Sequence, residues 1–368
     1  MSTANLDPRL EGNELSPKGT LWRNARDSVF SLHGVFYDKD EGLYRRVPKE
    51  IAEAVSKSVA SLSRHTSGGR IRFLTDSPFI SLKASLPAFK PLANMPITLS
   101  HGFSLFTNGK FEQRFSPKFD EIVDGVDFTS PLESTISFES SYDFFNTGKE
   151  LKLCEIFFPL YGGVRNLEIG LAGDATIKRA PDYKIKKPLV FYGSSITQGA
   201  CVSRPGNDYL AILSRMLDAD YINLGFSGNG NAENEIINYV GSIDASLYAY
   251  DYNLYDDRPK RILPPHLSIY ERLRANNPST PILFHDKPFF EYDTTYKRRR
   301  DLIKESYNAA KKMGDELVGL VETEALFGKE ERDLCAADQS HPNDLGALRM
   351  ASAFYPVVKE LIDKIVDK

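Results

Sequence analysis

The chain has 368 residues, a formal net charge of −4, 41% hydrophobic and 26% charged residues. These proportions fit a soluble globular protein with apolar material for two cores, and they carry no basic footprint for nucleic acid. No apolar run reaches membrane-span length, and "MSTANLDPRLEGNELS" lacks the basic-then-apolar order of a signal peptide. Three scattered cysteines, Cys154, Cys201 and Cys335, offer no disulfide framework. A cytoplasmic protein is the expectation, with no membrane partner and an assembly state compatible with a homo-oligomer.

The first predicted element is a helix in "VPKEIAEAVSKSVASLSRHTSGG", with Pro48 near its start and Gly68-Gly69 as its stop. From Ile71 to Leu171 the runs are short and alternate: "RIRFLTDS", "ISLKASL", "ITLSHGFSLFTNG", "STISFESS", "LKLCEIFF" and "RNLEIGL". Asn108-Gly109 is a strong hairpin signal. The pattern predicts an antiparallel β-sandwich of jelly-roll type, and residues 1–180 are assigned to this domain together with the early helix.

Past "YKIKKP" strands and helices alternate. "LVFYG" reads as a strand and "RPGNDYLAILSRMLDA" as a helix, with Pro205 at its first turn and Tyr209, Leu213, Met216 and Leu217 on one face. "YINLGFSG", "ASLYAYDYN", "TPILFHDKPF" and "DELVGLV" continue the strands, and the helices "NAENEIINYVGSI", "HLSIYERLRANNP" and "YKRRRDLIKESYNAAKKMG" separate them. "NDLGALRMASAFYPVVKELIDKI" closes the chain as helix. Residues 181–368 therefore read as an α/β domain with a mostly parallel sheet.

Such sheets carry chemistry beyond the carboxyl ends of their strands. Gly193-Ser194-Ser195 follows the first strand, Gly225-Phe226-Ser227-Gly228 the second, and Asn253 the third. Asp338 and His341 stand three residues apart before the last helix. Acyl transfer needs these types: a serine hydroxyl, an imidazole to take its proton, a carboxylate to fix the imidazole tautomer, and donors for the developing oxyanion. Asp338 is suited to hold Nδ1–H of His341, leaving Nε2 for a serine. The N–H groups of Ser195 and Gly228 and the amide of Asn253 are the candidate oxyanion donors. Taken singly these are ordinary features: a turn, a tight loop, a local Asn bond and a helix cap at Asn343 or Asp344. Their arrangement at successive strand ends is what points to chemistry.

The combination resembles the SGNH hydrolases, also called the GDSL lipase/esterase superfamily. "GSSIT" resembles the nucleophile block and makes Ser195 the matching serine. "NLGFSGNG" places Gly228 at the oxyanion glycine, "YAYDYNLY" places Asn253, and "DQSH" supplies Asp338 and His341. With "FFPLYGGVRNLEIGL" upstream, the stretch from about 60 to 360 resembles a bacterial branch of GDSL-like acylhydrolases with an N-terminal β-sandwich. The resemblance implies a flavodoxin-like three-layer α/β/α domain that hydrolyses O-acyl esters through an acyl-enzyme. An acetylesterase acting on a small polar substrate, such as an acetylated sugar, is the expectation. The alternatives are an acyltransferase using the same residues and a non-catalytic carbohydrate-binding protein. Ser194 departs from the family's usual aspartate before the nucleophile, and the third block lacks the usual Gly-x-Asn-Asp wording.

No tight cluster of His, Cys and carboxylate is visible in the sequence, so neither a metal nor a cofactor is expected. Cys201 and Cys335 read as small buried thiols. His285 ends the fourth strand, where it either lines the cleft or joins the core.

Overall fold

A computed structural model of the chain describes residues 15–123, 126–127, 129–130, 132–144, 148–251, 265–288 and 294–366. They divide into two compact units. The first takes in residues up to Arg45, Arg64–Pro181 and Ser203–Gly206; the second takes in Arg46–Ser63, Asp182–Val202 and the chain from Asn207 onward.

The first unit is an antiparallel sandwich. One sheet runs Leu21–Asn24, Asn166–Leu171, Phe79–Pro87, Thr135–Asp143; the other runs Ile177–Arg179, Arg70–Thr75, Lys152–Phe157, Phe103–Thr107, Lys110–Phe115, with Ser31–His33 also paired to Arg70–Thr75. Alternation in the sequence becomes burial on one face: Ile71, Phe73, Leu82, Leu105, Ile156 and Ile169 all join a single apolar core. The Asn108-Gly109 hairpin forms as expected between Phe103–Thr107 and Lys110–Phe115. Both turn residues have positive φ, 49° and 78°, as a two-residue type I′ turn requires.

The second unit is built on five parallel strands in the order Ala219–Gly225, Ile185–Gly193, Leu247–Tyr250, Ile282–His285, Val318–Val321. In chain order this is 2-1-3-4-5, the flavodoxin-like order, whose direction reverses between the first and third strands. Near-continuous burial of Leu189–Gly193, Leu247–Tyr250 and Ile282–His285 matches a sheet covered on both faces. The helices Tyr209–Leu217, Asn234–Ser242, His266–Asn276, Thr294–Lys312 and Asp344–Val366 alternate with the strands. No helix among the described residues is long and apolar enough to cross a membrane.

Two sequence expectations are corrected. The early helix is two short ones, Lys49–Val55 and Lys57–Leu62, broken at Ser56, whose extended backbone lets its hydroxyl cap the second helix at Val59 N–H (3.1 Å). This segment belongs to the second unit, because Val47, Ala52, Val59 and Ala60 are buried in the same core as Val190, Leu224 and Ile236. The other correction concerns Pro205. Asp208, not Pro205, starts the next helix: its carboxylate caps Ala211 N–H at 3.1 Å, while Ser203–Gly206 groups with the first unit. On that helix Tyr209 and Leu213 are buried as expected, but Met216 is 41% exposed.

Arg46 connects the early segment to the sheet. Its guanidinium, 2% exposed as a residue, donates to the carbonyls of Asn223 (3.0 Å), Gly225 (2.7 Å) and Leu62 (2.7 Å) and lies over the Phe226 ring at 4.8 Å. One planar cation thus satisfies two buried carbonyls at the carboxyl end of a strand and one at the end of the helix Lys57–Leu62. Arg46→Ala should cost about 3 kcal/mol in urea unfolding, since hydrogen bonds to charged groups contribute about 1.5–3 kcal/mol each and the carbonyls are left buried. Arg46→Lys should recover less than half of that loss, and a cost below about 1 kcal/mol for Arg46→Ala would contradict this role.

Candidate active site

Ser195 opens the four-residue helix Ser195–Gln198 directly after the strand Ile185–Gly193. Its Oγ lies 2.9 Å from His341 Nε2, and His341 Nδ1 lies 2.8 Å from Asp338 Oδ2. With Nδ1–H donated to the carboxylate, Nε2 presents its lone pair to the serine hydroxyl. That is the arrangement in which an imidazole can take a proton from an attacking oxygen.

The loop carrying Asp338 and His341 is fixed by its own backbone. Ala337 N–H donates to His341 O (2.9 Å), and Asn343 N–H donates to Cys335 O (3.0 Å). Asp338 Oδ1 accepts from Ser340 N–H and His341 N–H, both at 2.8 Å, so one carboxylate oxygen shapes the turn while the other orients the ring. Asn343 caps the closing helix by accepting from Gly346 N–H (3.1 Å). Partial burial acts to raise the Asp338 pKa. The His341 backbone N–H, the His341 ring and Ser340 N–H outweigh it and hold the carboxyl well below the usual carboxylate range.

Gly228 has φ +66°, and a Cβ there would meet nothing within 4 Å. Its positive φ, where L side chains are rarely found, is the conformational reason for glycine here. Several bonds lock this loop to the serine turn. Phe226 N–H donates to Gly193 O (2.8 Å), Ser227 N–H to Gln198 Oε1 (3.0 Å), and Ala232 N–H to the Tyr192 hydroxyl (2.7 Å). Asn223, fully buried in its strand, donates from Nδ2 to Thr197 O (2.7 Å). Close approach does matter at Gly225, where a Cβ would lie 2.2 Å from Gln198 N. Asn253 lies outside the described residues.

Ser194, the departure from the family pattern, is buried, and its hydroxyl reaches Asp251 Oδ2 at 3.5 Å. Asp251 follows the third strand and Asp286 the fourth. Arg299, 3% exposed, binds both: its Nε donates to Asp286 Oδ1 at 2.5 Å and its Nη2 pairs with Asp251 Oδ1. Burial, aided by the Asp251 charge, raises the Asp286 carboxyl despite Arg299. His285 is 2% exposed and packs on Phe191 and Phe354, which places it in the core. Burial lowers its pKa and pushes that of neighbouring His266 down to about 3. Asn223, Gln198, Asp251 and Arg299 were not singled out in the sequence. The strand-end position of Asp251, beside Asn253, was the one available signal.

All three cysteines are buried and free. Cys201, at φ +70°, brings its Sγ to the Asp–His pair: Sγ, a carboxylate oxygen of Asp338 and a ring nitrogen of His341 all lie within 4.8 Å of one another. The expectation that no His/Cys/carboxylate cluster exists is corrected here, because Cys201 and Asp338 are far apart in the chain and meet only in the fold.

Comparison with known proteins agrees with this architecture. Residues 186–359 match the GDSL-like lipase/acylhydrolase family, and residues 20–177 match the N-terminal domain of SGNH-hydrolase-type esterases. The chain belongs to the SGNH/GDSL hydrolases, a family of ester-hydrolysing enzymes, in the branch with an N-terminal β-sandwich. A structure from Bacteroides ovatus ATCC 8483, named as a GDSL-like lipase, is 27% identical with a TM-score of 0.75, over 94% of this chain and 98% of that one. The salicylyl-acyltransferase SsfX3 of a tetracycline biosynthetic pathway shares the fold at 20% identity and TM-score 0.72, over 94% and 98%. The acetyl xylan esterase Est2A of the rumen bacterium Butyrivibrio proteoclasticus shares it at 13% identity and TM-score 0.54, over 94% and 99%. A search of curated proteins returned no match.

Two outcomes test these supports. Arg299→Leu leaves two buried carboxylates facing each other and should cost about 3–5 kcal/mol in chemical unfolding; Ser194→Ala, which loses one long hydrogen bond, should cost under about 1 kcal/mol. The second outcome concerns acid. Because the folded-state pKa of Asp338 is depressed, its contribution is present above the ordinary carboxylate range and is lost as pH falls through it. The unfolding midpoint of wild type should therefore drop more steeply from about pH 5 to about pH 2 than that of Asp338→Asn. Parallel acid profiles would contradict the assignment.

Proposed function

We propose that the protein is a serine esterase that removes small acyl groups, foremost acetyl, from a polar alcohol such as a sugar. The observation that carries the reading is the continuous chain from Ser195 Oγ through His341 to Asp338. His341 Nε2 takes the hydroxyl proton as Ser195 attacks the ester carbonyl. The oxyanion is held by the N–H groups of Ser195 and Gly228 and the side-chain amide of Asn253. His341 then protonates the departing alcohol, and water, deprotonated by the same nitrogen, releases the acid from Ser195.

The choice of a sugar ester is supported by carbohydrate esterases of the same fold, including one solved with cellohexaose. A second reading, transfer of the acyl group to another alcohol, is favoured by the likeness to an acyltransferase along nearly the whole chain. The two differ only in whether water or an alcohol meets the acyl-enzyme. The free cysteines fit a reducing compartment, and cytoplasmic residence is part of the proposal; cell fractionation tests it.

Ser195→Ala should lower turnover of an aryl acetate by about 10³–10⁶ with an unchanged unfolding midpoint; turnover within tenfold of wild type would refute the assignment. Against acetylated mono- and oligosaccharides and aryl esters of increasing chain length, turnover should peak at acetyl. Rates that rise with acyl length would point to a lipase instead. Acyl transfer to added alcohols that outpaces acid release would establish the transferase reading.

A further inference from the structure

The inference rests on the esterase reading and concerns its regulation. We propose that Cys201, Asp338 and His341 form an inhibitory site for a soft divalent cation, zinc being the best fit, which switches the enzyme off by taking its acid–base pair as ligands.

The three side chains supply the three ligand classes that zinc prefers: a thiolate, an imidazole nitrogen and a carboxylate oxygen. Their donor atoms already lie within 4.8 Å of one another. Tetrahedral zinc with bonds of about 2.0–2.3 Å needs ligand separations of about 3.3–3.6 Å, so side-chain movements of about 1 Å close the site. A cation can reach it, since the Asp338 and His341 side chains are 37% and 24% exposed. Three protein ligands leave a fourth position for water.

Coordination is incompatible with catalysis through either ring nitrogen. Binding at Nε2 takes the lone pair that faces Ser195 Oγ; binding at Nδ1 displaces the proton donated to Asp338. On binding, the Cys201 thiol releases its proton to solvent and the sulfur becomes a ligand. Hard ions such as Mg²⁺, which favour all-oxygen shells, should be excluded.

Co²⁺ titrated into the full-length protein is the test, since it reports thiolate ligation by a sulfur-to-cobalt charge-transfer band. Wild type and Cys335→Ala should develop the band at one equivalent and lose it on adding Zn²⁺; Cys201→Ala, or Cys201→Ser should the alanine variant not fold, should lack it. In turnover of an aryl acetate, Zn²⁺ but not Mg²⁺ should inhibit wild type, with reversal by EDTA. Cys201→Ala should match wild-type turnover without metal and need at least about tenfold more Zn²⁺ for half inhibition. No band in wild type, a band that survives in Cys201→Ala, or equal zinc sensitivity would overturn the site. The band does not depend on ester turnover: a band without turnover refutes the esterase reading alone, and turnover without a band refutes the metal site alone.

Discussion

A serine at a strand end is useful only if its turn cannot move, and in this protein the turn is gripped from both sides. On one side the end of the strand Ala219–Gly225 is tied to it by Asn223, Phe226 N–H and Ser227 N–H. On the other side stand Ser194 and Asp251, the latter held by a guanidinium that bridges two buried carboxylates. The turn sits at the reversal point of a 2-1-3-4-5 sheet, where the ends of the first and third strands leave room beyond the sheet. Burying a cation between two acids is costly unless every partner is well placed. Here its return is geometric, since Arg299 fixes the ends of two adjacent strands relative to each other.

The second requirement is electrostatic. Asp338 divides its oxygens between shaping a turn and orienting an imidazole, so the loop geometry and the His341 tautomer come from one carboxylate. The same hydrogen bonds that build the loop keep that carboxylate ionised. An imidazole held this way needs little reorganisation to accept a proton, which is where preorganised sites gain rate over water. Cys201 shares that neighbourhood, its Sγ within 4.8 Å of a carboxylate oxygen of Asp338 and a ring nitrogen of His341.

Much of this was legible in the sequence because local patterns decided it. Period-two alternation predicted the sandwich, strand–helix alternation predicted the parallel sheet, and Asn108-Gly109 predicted its hairpin. The contact of Ser195 with His341 and Asp338 was foreshadowed by a serine at a strand end and by an Asp and a His three residues apart just before the last helix. What escaped was set by contacts distant in the chain. Arg46 reads as one more charge beside a helix, yet it satisfies carbonyls of residues 223 and 225. Arg299 lies in the basic run "YKRRRD", where nothing distinguishes a solvated cation from one buried between two aspartates. Pro205 misled because proline favours both helix starts and turns, and Asp208 supplied the real cap. Cys201 looked inert because its partners arrive with the last loop of the fold.

Whether Ser195 carries the acyl group can be read by peptide mapping with mass spectrometry after treatment with a fluorophosphonate, in wild type and in His341→Ala. One adduct is expected, on Ser195, forming in wild type and slowing by about 10³ or more without the imidazole. An adduct on Ser194, or labelling of Ser195 at the same rate without His341, would contradict it.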